Sequence, residues 1–218
     1  MRVVIRAAVV LGLFTVALMA STPAQAVTFN FTSDHCTGGC GTPPFGTVMV
    51  TQAGGNVDVV VHLNDPNFFI KTGAGDSQAF LFNGIGVALA DIVVDPHVPT
   101  LAAAAGAFGN GGVGTFGFGI NCPSCGNGAG DRFNTDITFT VNNATVADLT
   151  TPNAAGNIFV ADIISCSVST CGGGTGTGNT GLIDVSASPV AEPTSLAFLG
   201  SGLVLAAMLG RRWKRGDS

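Results

Sequence analysis

Between residues 27 and 190 the apolar side chains of this chain recur mostly at every second position, and no long stretch of that body shows helical spacing. Val57, Val59, Val61 and Leu63 fall on one side of a run whose other side carries Asp58 and His62. Residues 27–32 (Val-Thr-Phe-Asn-Phe-Thr) and 137–141 (Ile-Thr-Phe-Thr-Val) alternate likewise, and Val48 and Val50 fall together within 47–51. Successive side chains of a strand point to opposite faces, so this spacing suits strands buried on one face. Further strand-like runs lie at 68–71, 79–82, 87–94, 115–120, 158–165 and 182–185. Clusters such as Ala53-Gly54-Gly55-Asn56 and Asn64-Asp65-Pro66-Asn67 separate them with turn-forming residues. The pattern predicts an all-β body, an antiparallel β-sandwich or jelly roll of about nine to ten strands. Residues 145–149 fit one helical turn, and the alanines at 102–105 could extend a short helix. The glycine-rich stretches 106–119 and 172–181 read as surface loops. A phosphate-cradling loop would need a helix directly after it and a lysine, and neither stretch has them.

Long apolar segments lie only at the two ends. Arg2 and Arg6 precede an uncharged apolar run over 7–20. Ser21, Thr22 and Pro23 break it, and Ala24-Gln25-Ala26 offers the small residues that signal peptidase requires. That run is shorter than the roughly 20 residues that span a bilayer, so 1–26 is a cleavable signal peptide with maturation at Val27. At the other end, residues 195–210 carry no charge and are followed by Arg211, Arg212, Trp213, Lys214 and Arg215. As a helix this segment reaches about 24 Å at roughly 1.5 Å per residue. Snorkelling arginines and an interfacial tryptophan extend it toward the full bilayer core. The basic end stays on the cytoplasmic side, which leaves the body outside. The predicted organisation is therefore a signal peptide (1–26), an extracytoplasmic β-domain (27–188) and a tail (189–218) with a transmembrane helix at 195–210.

The mature region, 27–190, holds about 164 residues, enough for one domain with its own core. It contains eleven aspartates against Lys71 and Arg132, a net charge of 2 − 11 = −9. No basic patch can form on such a body, which excludes nucleic acid as a partner. Solubility outside the cell is the simplest role for the acidity; calcium binding or repulsion of anionic glycans would be functional ones.

Six cysteines fall in three close pairs: Cys36 and Cys40, Cys122 and Cys125, Cys166 and Cys171. An even number in an exported chain favours disulfides. The spacing favours local pairing, although six cysteines allow 15 connectivities. Cys122-Pro123-Ser124-Cys125 has the spacing of a redox motif, but the glycines that follow cannot continue the helix that stabilises a reactive thiolate. Zinc at a cysteine pair with His35 is set aside, because an oxidising compartment bridges the thiols. Asn64, Asp65 and Asn67, or Asp131 and Asp136, offer oxygen ligands suited to calcium. No twelve-residue calcium loop is present, and Asx-turns account for these residues more simply. No cofactor is predicted. Hydrolysis of glycosides ordinarily uses two carboxylates. The only glutamate is Glu192 in the tail, and His35, His62 and His97 lack a nucleophile context. No catalytic residue is assigned.

Val190-Ala191-Glu192-Pro193, a short apolar helix and the terminal cluster Arg211, Arg212, Lys214 and Arg215 together resemble the PEP-CTERM sorting signal of Gram-negative bacteria. Ala191 stands where that family usually has its first proline. The resemblance implies recognition by an exosortase-type membrane protease and display in the cell envelope or at the cell surface. It also implies association with exopolysaccharide and biofilm. It covers only the last 30 residues or so. The resulting expectation is a non-catalytic surface protein with a structural or adhesive role in extracellular matrix. It would meet signal peptidase, then the exosortase-like enzyme, and would be held in the membrane before processing. A carbohydrate-active hydrolase or a thiol redox protein is the alternative.

Overall fold

A two-residue turn and strict alternation set the first hairpin. Strand β1 spans Ala26–Asn30, β2 Ser33–Asp34, β3 Gly46–Ala53 and β4 Asn56–Leu63. Gly54 and Gly55 alone join β3 to β4, with Ala53 opposite Asn56. Such a turn needs positive φ, which Gly54 supplies at +64°. In β4, Val57, Val59, Val61 and Leu63 are buried while Asp58 and His62 face solvent, as the alternation predicts.

The computed structural model describes residues 26–109, 112–166 and 178–186, and the backbone of 190–191. The remaining strands are β5 Asn67–Lys71, β6 Phe80–Phe82, β7 Ile92–Val94, β8 Ala102–Phe108, β9 Phe116–Asn121, β10 Gly128–Phe133 and β11 Ile137–Val141. They are completed by β12 Asn157–Ser165, β13 Asn179–Ser186 and β14 Val190–Ala191. A single short helix, α1 (Val146–Leu149), lies among the described residues. Its first turn is closed by Asp148, whose carboxylate accepts from the Thr145 N–H (2.8 Å) and hydroxyl (2.7 Å). The fold is all-β, and every strand pairing is antiparallel.

One sheet runs β14-β1-β3-β4-β11-β7. The other centres on β12. One edge of β12 carries β13, which pairs in turn with β2. The opposite edge carries β5 and β6 end to end: Phe69 faces Ile163, and Phe80 faces Ala161. A second broken line lies outside the first, with β10 on β5 and β9 on β6, and β8 completes the edge. The two sheets share one core. Phe80 stacks on Phe82 and Phe159 and meets Phe139 of the facing sheet at 6.1 Å between ring centroids. Phe82 also meets Phe139, at 5.0 Å, and Phe29 meets Phe159 edge-on at 5.4 Å. Aromatic pairs in such offset and edge-on geometries contribute beyond their buried area.

Among the described residues, fourteen strands stand where nine to ten were expected. The additions are short or glycine-rich segments, β2, β10 and β14, together with β8, the alanine run read as potential helix. Ala102 to Ala105 pair in register with Asn121 to Phe118 of β9, and this tertiary partner overrides alanine's preference for helix. The stretch 87–94 is only half strand, because Leu89–Asp91 forms a 3-10 turn before β7. Part of the first glycine-rich stretch is strand β9. A Cβ on Gly119 would come within 2.7 Å of Gln78 Oε1, so glycine there makes room for a neighbouring side chain. The predicted transmembrane segment 195–210 lies outside the described residues. Among those described, no helix is long and apolar enough to cross a membrane.

Phe80→Ala should therefore destabilise the domain by about 3–5 kcal/mol, the range for losing a buried aromatic. Leu89→Ala, at an exposed site, should stay within about 0.5 kcal/mol. Urea unfolding followed by circular dichroism would measure both, since the chain has no tyrosine and its one tryptophan is Trp213 in the tail.

Candidate functional site

Strand β12 reads Asn-Ile-Phe-Val-Ala-Asp-Ile-Ile-Ser, and all nine residues are buried. Phe159, Ala161 and Ile163 face the shared core. Val160 packs on the opposite face in a smaller cluster with Leu81, Val113, Phe116 and Leu182. Asp162 lies between these apolar neighbours, 1% exposed, opposite the break between β5 and β6. The 72–79 loop that fills the break is tied to it. Oδ2 of Asp162 accepts from the Thr72 N–H at 2.7 Å and the Thr72 hydroxyl at 2.6 Å, while its own N–H donates to Ala79 O at 3.0 Å. Oδ1 is buried with no partner. Burial pushes the carboxyl up from 3.8 to about 7, against the opposing pull of the Thr72 hydroxyl and the Thr72 and Gly75 N–H groups. Asp184 of β13 is buried as well, and its Oδ2 accepts from His35 Nε2 at 2.8 Å. These two aspartates contribute nothing to a solvated acidic surface. A lone acid inside the otherwise apolar run 158–164 was the sequence signal for Asp162.

Two of the expected disulfides are formed locally, Cys36–Cys40 and Cys122–Cys125, with Cα atoms 5.5 and 5.3 Å apart. Cys166 is also disulfide-bonded; Cys171 lies outside the described residues. Each described bridge is held by an aspartate that accepts backbone N–H bonds. Asp34 Oδ1 takes those of Cys36 (3.2 Å) and Cys40 (3.3 Å), and Asp131 Oδ2 takes that of Gly126 (2.6 Å). The bridged Cys122–Cys125 loop lies at the end of β9, beside the break in the neighbouring line, and Lys71 Nζ donates to Cys122 O at 3.0 Å. It is followed by a turn and then β10, with no helix whose N-terminus would favour a thiolate. Asp34, Cys36 and Cys40 converge within 4.8 Å, but sulfurs bonded to each other do not offer two thiolates to a metal. His35, the histidine beside them in sequence, turns to Asp184 instead.

Asp131 and Asp136 do not converge as a calcium pair. Asp131 holds the disulfide loop, and Asp136 meets His62 Nδ1 at 2.7 Å on the surface. His97 bonds Pro99 O and the Thr135 hydroxyl, both at 2.8 Å, and rests edge-on against Phe133. Among the described residues, no hydroxyl or thiol hydrogen-bonds the ring of His35. Asn64, Asp65 and Asn67, by contrast, do come together. They line a cleft of about 280 Å³ with Cys40, Thr42 and Pro44. A wider cleft of about 430 Å³ lies between Val98, Ser124, Asp131 and Arg132. Each cleft carries one aspartate, whereas a two-carboxylate hydrolytic mechanism needs a pair. Of the sorting residues, Val190 and Ala191 form β14; Glu192, Pro193, Arg211, Arg212, Lys214 and Arg215 lie outside the described residues.

Compared with family models, with curated proteins and with solved structures, the chain matches none.

Asp162 gives a pH test whose sign follows from its raised folded value. Between about pH 4 and pH 7 the folded state keeps a proton that the unfolded chain has released, so stability falls as pH rises through this window and levels above it. The slope approaches about 1.4 kcal/mol per pH unit. Asp162→Asn keeps an acceptor for Thr72 and carries no charge. Urea unfolding at pH 4.5 and 7.5 should show the native chain losing a few kcal/mol more than the variant across that interval. Equal losses would remove the assignment.

Proposed function

We propose that this protein is exported and envelope-anchored, and that it serves a non-catalytic structural or adhesive role in extracellular matrix. An exosortase-type protease would recognise its tail. The observation that carries this is the order of elements in the chain: a cleavable leader, a β-domain closed by local disulfides, then Glu192-Pro193, an uncharged segment and four terminal cations.

Two features of the folded domain support it. Disulfides at Cys36–Cys40 and Cys122–Cys125 belong to an oxidising compartment. The first and last strands are neighbours: Val27 pairs with Ala191 and Thr28 with Val190 on one edge of the first sheet. The mature N-terminus proposed at Val27 and the sorting element at Glu192 would then leave the domain side by side. A cut beyond Ala191 would leave β14 and the core, which begins at Phe29 of β1, in place. A body of net charge −9 suits a hydrated anionic matrix, which it would enter without collapsing onto polymer of the same sign.

Mass spectrometry of the protein recovered from a Gram-negative host that carries an exosortase should find Val27 as the mature N-terminus and a tail cut near Glu192. Deleting Glu192 and Pro193 should leave the tail intact and the protein in the membrane fraction. An enzymatic reporter fused after Val190 that proves active only in the cytosol would overturn the proposal.

A further inference from the structure

The cleft beside the Cys36–Cys40 loop lies where the chain twice crosses between sheets. Residues 35–45 lead from β2 in one sheet to β3 in the other, and 64–66 lead from β4 back to β5. The two crossings are tied by a backbone bond from Asn64 N–H to Phe45 O (2.9 Å), and the second is closed on itself by Asn67 N–H to Asn64 O (3.0 Å). Ser165 of β12 fixes the outer wall by donating its hydroxyl to Cys40 O at 2.7 Å.

What the cleft presents is oxygen. Both amide side chains are oriented by their nitrogens: Asn64 Nδ2 donates to Pro44 O at 2.8 Å, and Asn67 Nδ2 donates to Phe45 O at 3.1 Å. Each Oδ1 is thereby left as the uncommitted end of its amide. Asn67 is only 5% exposed, and its Oδ1 is buried with no hydrogen-bond partner. An acceptor in that position has lost its water and gained nothing in return, and a cation reaching it from the cleft would offset that loss. The carboxylate of Asp65 and the hydroxyl of Thr42 line the same space, and no basic residue does. No soft donor is present either, since Cys40 is bridged to Cys36.

We propose that this cleft binds a calcium ion. Asn67 Oδ1 serves as the buried inner ligand and Asp65 as the charged one, Asn64 Oδ1 and Thr42 Oγ1 add further oxygens, and water completes the shell from the open side. Calcium accepts such a mixture of amide, carboxylate and hydroxyl oxygens in irregular geometry. Magnesium demands a near-ideal octahedron and holds its own waters. A single carboxylate places the affinity in the weak range typical of extracellular modules, about 10⁻⁴–10⁻³ M. Bound there, the ion pins the two crossings to each other and so stiffens one end of the domain. None of this depends on how the tail is sorted, and its failure would leave that proposal untouched.

The test is thermal unfolding of the chelator-treated, full exported protein, followed by circular dichroism and paired with titration calorimetry. At about 10 mM calcium chloride the midpoint should rise by about 3 °C or more over sodium chloride of equal ionic strength. Magnesium chloride should give less than half that shift. Asp65→Asn, at an exposed position, should abolish the rise, and Asp136→Asn should preserve it. Thr42→Ala provides a milder variant that should weaken the calorimetric affinity several-fold. A midpoint that calcium leaves unmoved, with no heat of binding, would mean that Asn67 Oδ1 goes without a ligand and would overturn the assignment. So would a rise that magnesium matches, which is screening of an acidic body, or one that survives Asp65→Asn, which puts the ion elsewhere.

Discussion

The packing of phenylalanine across the two sheets is the constraint on which the rest of this structure depends. Phe80 and Phe82 of β6 meet Phe139 of β11 in the opposite layer, and Phe29 of β1 reaches Phe159 of β12. Large, rigid rings cost little side-chain entropy to fix and bury a great deal of apolar area. They set the separation of the layers and the register in which β11 faces β6. With that register fixed, the crossings at 35–45 and 64–66 close the same end of the domain, and their turns form a cleft.

Strand β12 has a harder role. It is flanked on both edges and buried on both faces, so every position in it favours apolar residues, yet Asp162 stands at its centre. The local rule is broken where the neighbouring line is broken too. With β5 ended and β6 not yet begun, the backbone of the 72–79 loop has no strand partner at that point and bonds to the carboxylate instead. Asp162 thus replaces part of a missing ladder. The cost is a buried acid with one oxygen unpartnered, held largely in its neutral form below about pH 7. Local conflict of this kind marks places where a fold is compensating for a feature it needs, and here the feature is an interrupted strand.

Aspartate recurs as a builder of loops elsewhere in the chain. Asp34 and Asp131 each accept N–H groups around a disulfide-closed turn, and Asp148 does the same for α1. Short disulfide loops close little chain and stabilise weakly through entropy; their effect here is to hold the loop shape that the aspartate then satisfies. Much of the acidity of the body is therefore structural. The carboxylates that remain in solvent, Asp65 among them, are the ones available to a ligand.

Sequence alone determined what depends on neighbours along the chain. The alternation of β4, the Gly54–Gly55 turn, the apolar run of β12, the single turn of α1 and the pairing of close cysteines were all legible. Strand periodicity, positive-φ turns and small rings involve only a few consecutive residues. Tertiary structure alone decided what depends on distant partners. The alanines of β8 are strand because β9 lies beside them, and residue 119 is glycine because Gln78 occupies the space of a side chain there. Asp162 and Asp184 are buried because the far face of their sheet is covered. The cleft itself brings together residues 40–45 and 64–67, which share no local pattern. A chain can state which face of each strand is oily, but burial of that face, or of the other, is a sum over segments brought together only by folding.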